Sequence, residues 1–174
     1  MLNKTGIPSS EQVLSRFPES QALIRPKAIL ECYEDIPCNP CQTSCPFDAI
    51  IIGENINTQP KLIVDKCTGC GLCVTSCPGL AIVVAQIKGD HAQFKIPYEF
   101  LPMPKKGEVW DGVNRSGETI CDAIIDGVQL QQKNDHTALV TCRVPLEFLH
   151  EFVTIRVRLW TRKISSSVVV KMSI

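Results

Sequence analysis

The sequence predicts an α+β chain in which an internally repeated, cysteine-bearing module with a pseudo-two-fold axis precedes a small antiparallel β domain. Three observations predict it. Eight of the ten cysteines fall between Cys32 and Cys77. The segment that holds them repeats at a shift of 32 residues. Beyond residue 100, short alternating apolar runs bounded by turn residues take over.

Three regions follow in order. Residues 1–26 are an N-terminal extension with Pro8, Pro18 and Pro26 and a short helical pattern around Glu11 to Phe17. Residues 27–100 hold the cysteine runs. In the repeat register Cys38, Cys41 and Cys45 fall on Cys70, Cys73 and Cys77, Pro46 on Pro78, and Ala49-Ile50 on Ala81-Ile82. Each half places an apolar strand before its cysteines (Ala28 to Leu30, then Lys61 to Val64) and another after them (Ala49 to Ile52, then Ala81 to Ala85). A short helical turn between the strands is expected to carry the last cysteine. One such unit buries little apolar area, so two are expected to pack together around what the cysteines bind.

Residues 101–174 open on a linker-like stretch, Leu101 to Gly107. Strands are expected over Glu108 to Val113, Thr119 to Val128 (with Gly127 a bulge), Ala138 to Val144 and Val153 to Leu159. Asn114 to Gly117 reads as a turn, Gln131 to Asp135 as a loop, and Pro145 to Phe152 as a helical turn or two with Pro145 first. These strands suggest a small barrel or meander. The tail from Ser165 to Ile174, with Val168 to Val170 at its centre, reads as a further strand or a segment that pairs with a partner.

Formal net charge is zero, which leaves no electrostatic case for nucleic acid or an anionic membrane surface. No apolar run reaches the length of a membrane span. Met1 to Ser10 lacks a charged region followed by an apolar one, so a cytoplasmic chain is expected. Disulfides would require an oxidising compartment. Thiols spaced two and three residues apart instead favour a shared metal centre, because clustered thiolates repel without a cation among them.

The run Cys67-Thr68-Gly69-Cys70-Gly71-Leu72-Cys73-Val74-Thr75-Ser76-Cys77-Pro78 fills the pattern C-x2-C-x2-C-x3-C-P completely. That pattern holds 4Fe-4S clusters: three closely spaced cysteines reach three irons of one cube, and the fourth ligates the other cluster. Gly69 and Gly71 let the loop curl closely. A zinc ribbon also uses C-x2-C pairs, but four cysteines within eleven residues, followed by Pro and repeated, argue against zinc. By the exchange rule one cluster takes Cys67, Cys70, Cys73 and Cys45. The other takes Cys38, Cys41 and Cys77 and lacks a fourth ligand.

In the repeat register Asp35 stands where the second run has Cys67. Three solutions are open. Cys32 supplies the thiolate through the longer loop Cys32 to Cys38, which is the favoured reading, with Pro37 stiffening the detour. Asp35 ligates through its carboxylate, a harder ligand for a soft site. Or the iron is missing and the centre is 3Fe-4S. The competing role for Cys32 is a small buried hydrophobe. Cys121 and Cys142 read as buried core thiols, and His91, His136 and His150 as isolated. No dinucleotide fingerprint, P-loop or nucleophile motif is present, so no catalytic residue is assigned.

Over residues 27–90 the chain resembles two-cluster bacterial-type ferredoxins. The run Glu31-Cys32-Tyr33-Glu34-Asp35-Ile36-Pro37-Cys38-Asn39-Pro40-Cys41 further resembles the iron–sulfur subunits of FAD-dependent amino-acid dehydrogenases of the proline, hydroxyproline or opine type. The resemblance implies a two-cluster ferredoxin-like module followed by a small β domain. It also implies a non-catalytic electron-transfer subunit of an oxidoreductase complex, with flavoprotein dehydrogenase subunits and a further iron–sulfur subunit as partners. The alternatives are a freestanding soluble dicluster ferredoxin and a chain whose metal serves only folding.

Overall fold

Short runs rich in β-branched residues become strands, and the cysteine loops between them supply two of the three short α-helices among the described residues. The computed structural model describes residues 2, 4–130 and 137–158. The expected tail from Ser165 to Ile174, the loop Gln131 to Asp135, His136 and Leu159 lie outside them. Helix α1 (Ser10–Leu14) begins at Ser9, whose side chain accepts from the Gln12 amide while the Gln12 side chain accepts from the Ser9 amide, a capping box. Strand β1 (Lys27–Leu30) follows, then α2 (Pro40–Thr43), β2 (Ile50–Ile51), β3 (Lys61–Leu62), α3 (Leu72–Ser76) and β4 (Ile82–Lys88). Five more strands complete the order: β5 (His91–Tyr98), β6 (Val109–Val113), β7 (Thr119–Gln129), β8 (Ala138–Pro145) and β9 (Thr154–Arg156).

Seven strands form one antiparallel sheet in the order β1-β4-β5-β8-β7-β6-β9, with β2 and β3 pairing separately. Strands β6, β7 and β8 are a meander, and β9 returns beside β6. A register shift between Ile125 and Gly127 marks the irregularity in β7. The division at residue 100 falls in the loop between β5 and β6. The sheet runs through it: β5 pairs with β8 from His91↔Pro145 to Tyr98↔Ala138. Pro145 ends β8 rather than opening a helix, and a 3-10 turn at Leu146–Phe148 replaces the expected helical turn.

The 32-residue repeat is also a repeat of backbone hydrogen bonds. Leu30 pairs with Ile82, and Leu62, its counterpart, pairs with Ile50. The Glu31 amide donates to the Ala81 carbonyl at 2.8 Å, and the Ile63 amide donates to the Ala49 carbonyl at 2.8 Å. Asp48 and Leu80, again 32 apart, are the two non-glycine residues with positive φ among those described. Each half therefore lends its second strand to the other's first strand.

Strands β1 and β4 are covered on both faces. Ile29, Val83 and Ala85 face a large core with Phe94, Ile96, Trp110, Val140 and Phe152. The alternate residues Ala28, Leu30, Ile82 and Val84 face a second cluster that holds Cys41 and Cys73. The period-2 alternation of a strand sorts one pair of strands into two interiors.

Candidate metal centre

Both cysteine loops use the same local construction. Cys41 lies on α2 and Cys73 on α3, so the third cysteine of each repeat unit, not the last, is on the helical turn. Pro40 opens α2 at a position where its missing N–H costs nothing. Cys45 and Cys77 follow the helices. Each takes a hydrogen bond at Sγ from the amide four residues on, Ala49 and Ala81, at 3.4 Å in both cases. The Ala28 amide donates to Cys67 Sγ at 3.4 Å. Hydrogen bonds to ligand sulfurs are one of the levers by which a protein sets cluster potential.

Gly69 and Gly71 have positive φ, at 65° and 95°. Their need is also steric. A Cβ on Gly69 would lie 2.6 Å from the Pro26 carbonyl oxygen, and one on Gly71 would lie 2.7 Å from Leu139 Cδ2. The loop is thus pressed against the start of β1 and against β8.

The eight thiols fall into two groups. Burial pushes the Cys73 thiol up to about 12, helped by Cys67, Cys70 and Cys45 and more weakly by Cys41. Burial pushes Cys41 up to about 11, helped by Cys77, Cys38 and Cys32. Cys32 is raised by burial, then by Cys77 and Cys38. Cys45, Cys67, Cys70 and Cys73 are therefore brought together, as are Cys32, Cys38, Cys41 and Cys77. Thiols so placed resist ionising together unless iron supplies the opposing charge.

Among the described residues no three His, Cys, Asp or Glu side chains converge on the position of a single ion. Cys45, Cys67, Cys70 and Cys73 line a small, partly enclosed pocket with Ala28 and Val84. Thiols standing around an apolar volume, with amides aimed at their sulfurs, fit a cluster. When bound, a cluster supplies one-electron redox chemistry; the chain supplies ligands, amide donors and apolar cover.

Cys32 and Asp35 differ in placement. Cys32 is half-buried within the second thiol group. Asp35 is exposed, and its Oδ1 accepts from Gln59 Nε2 at 3.0 Å, which also donates to the Tyr33 carbonyl at 2.8 Å. Arg16 donates to the Cys32 carbonyl at 3.0 Å and to the Gln59 side chain, and its guanidinium lies 5.2 Å from the Tyr33 ring centroid. Sequence reading missed Arg16 and Gln59, for nothing in their local pattern announces contacts to a loop elsewhere in the chain.

Cys121 and Cys142 sit on β7 and β8 in the sheet core, and Cys142 is fully buried. Burial and Asp122 push Cys121 up to about 11. All ten cysteines are free thiols. His91 lies beside Asp90 on the surface, and His150 packs edge-on to Phe17 at 4.6 Å.

Two groups of four thiols with amides donating to their sulfurs are what iron–sulfur clusters require of a chain. Residues 30–89 match the family model of the 4Fe-4S dicluster domain. The match takes in all eight grouped cysteines, Cys32 to Cys77, and spans 60 (30 through 89) of the 174 residues. It supports iron–sulfur clusters in this segment and electron transfer through them. Searches of curated proteins and of solved structures each returned no significant match. Among the described residues no helix is long and apolar enough to cross a membrane.

Proposed function

We propose that the chain is an electron-transfer subunit that relays single electrons through two 4Fe-4S clusters for a flavin-dependent amino-acid or imino-acid dehydrogenase. The grouping of eight thiols into two fours carries the two-cluster reading. One group is Cys45, Cys67, Cys70 and Cys73; the other is Cys32, Cys38, Cys41 and Cys77. The placement of Cys32 beside Cys38 and Cys77 favours a complete set of thiolates over the carboxylate or three-iron alternatives.

The flavoenzyme reading rests on the likeness of Glu31 to Cys41 to the iron–sulfur subunits of such enzymes. It draws support from the sheet, which extends the cysteine module well beyond what holding clusters requires. Ten unpaired cysteines fit a reducing compartment, in keeping with a cytoplasmic complex.

Anaerobic purification of the tagged chain from its own cells tests both levels. About eight irons per chain, reducible signals from two clusters and a co-purifying flavoprotein are expected. Zinc in place of iron would overturn the cluster reading. A loaded chain that purifies alone and exchanges electrons freely would overturn the subunit reading in favour of a freestanding carrier.

A further inference from the structure

Two lysines meet behind one cysteine loop and have no acidic partner. Lys27, buried on β1, donates through Nζ to the carbonyls of Val64 at 2.7 Å and Cys67 at 2.8 Å. Lys95, half-buried on β5, donates to the Gly69 carbonyl at 2.8 Å. Neither takes part in an ion pair among the described residues. A buried ammonium without a counter-charge is costly. Carbonyl dipoles offset part of that cost, but a full negative charge is the natural complement. The thiol group Cys45, Cys67, Cys70 and Cys73 supplies one when it holds a cluster, because two of the three carbonyls belong to Cys67 and to Gly69 beside Cys70.

The second thiol group has a different setting. Arg16 reaches the Cys32 carbonyl. Arg115 is committed to Glu31. Glu34 and Asp35 follow Cys32 by two and three positions in the chain. There Arg115 is matched by Glu31, whereas Arg16, like the two lysines, donates to uncharged oxygens.

We infer that Lys27 and Lys95 are positioning residues for charge. They hold two fixed cations beside the cluster at Cys45, Cys67, Cys70 and Cys73 and raise its potential. The inference depends on the two-cluster reading above. Its physical basis is that reduction adds one negative charge to the cluster. A nearby cation in a poorly hydrated setting stabilises the reduced form more than the oxidised one.

The test is an EPR-monitored redox titration of the full, cluster-loaded chain, compared with Lys27→Met, Lys95→Met and Lys27→Arg. Cys38→Ser marks which signal belongs to the second cluster. Each Met variant should make reduction of the cluster at Cys67 at least about tenfold less favourable, 59 mV for a one-electron couple, while the other midpoint holds. Lys27→Arg should keep most of the wild-type potential. Unchanged midpoints in loaded Lys95→Met would overturn the inference even if Lys27→Met failed to fold, and equal shifts in both clusters would do the same. Iron and sulfide analysis of the wild-type chain separates the two failures. Absence of clusters sinks the two-cluster reading, whereas full loading with unmoved potentials sinks only the role of the lysines.

Discussion

The carboxylate of Glu31 and the guanidinium of Arg115 form a two-pronged ion pair, with Nε to Oε2 at 2.7 Å and Nη2 to Oε1 at 2.5 Å. Glu31 adjoins Cys32, and Arg115 sits in the turn between β6 and β7. The same guanidinium donates to the His150 carbonyl at 2.7 Å, and Tyr33 Oη donates to Glu31 at 3.3 Å. One residue thus ties the cysteine segment to the far end of the sheet.

Both side chains of this pair are largely buried, so removing one partner strands the other. Arg115→Met is expected to destabilise the chain by about 3–5 kcal/mol, the range for a buried pair that loses one member. Denaturant unfolding measures it. The double variant Arg115→Met with Glu31→Gln should recover part of the loss, since it leaves no unpaired charge.

Substitutions at Cys32 and Asp35 separate the ligand candidates. Cys32→Ser should alter the EPR signal of one cluster and leave the other intact. Asp35→Asn should leave both unchanged apart from a slightly looser Cys32–Cys38 loop, because Asp35 is occupied by Gln59. The reverse outcome would make the carboxylate the fourth ligand.

The glycines of the complete run should rank by what a methyl group would meet. Gly69→Ala places Cβ against Pro26, including its backbone, so relief requires moving β1 or the loop. Gly71→Ala meets only the end of the Leu139 side chain, which can turn. Gly53→Ala, with positive φ but nothing within 4 Å, should cost about 1–2 kcal/mol from backbone conformation alone. Thermal unfolding and iron content are expected to show Gly69→Ala as the most damaging of the three.

His150 gives a pH dependence with a definite sign. Burial, and then Arg115, hold its pKa below the usual 6.5, so the folded state prefers the neutral ring. As pH falls through about 6.5 the unfolded chain takes up the proton first, and stability declines until the folded-state ring also titrates. His150→Phe should flatten this decline between pH 7 and 5 in denaturant titrations while keeping the ring contact with Phe17.

The cysteine module was largely readable because cluster ligation imposes fixed spacings, and the 32-residue shift carries over into paired backbone hydrogen bonds. Strand β5 is hard to read from the sequence, although Ala92, Phe94, Ile96 and Tyr98 alternate with other residues as a strand should. Pro97 inside the run argues against a central strand. It is tolerated because pairing with β4 ends at Lys95, leaving β8 as the one neighbour at that point among the described residues. The contacts of Arg16 and Arg115 left no trace in sequence. They join residues 16 and 84 positions apart through one long side chain reaching a backbone carbonyl in the first case and a carboxylate in the second.

Strands β1 and β4 separate an interior filled by side chains from one lined by thiols, and the alternation of their residues decides which lining each joins. A single inserted residue in either strand would exchange the two sets, turning Ile29 or Val83 toward the cysteines and their neighbours toward Phe94 and Phe152. Length in these two short strands is therefore less free to drift than side-chain identity.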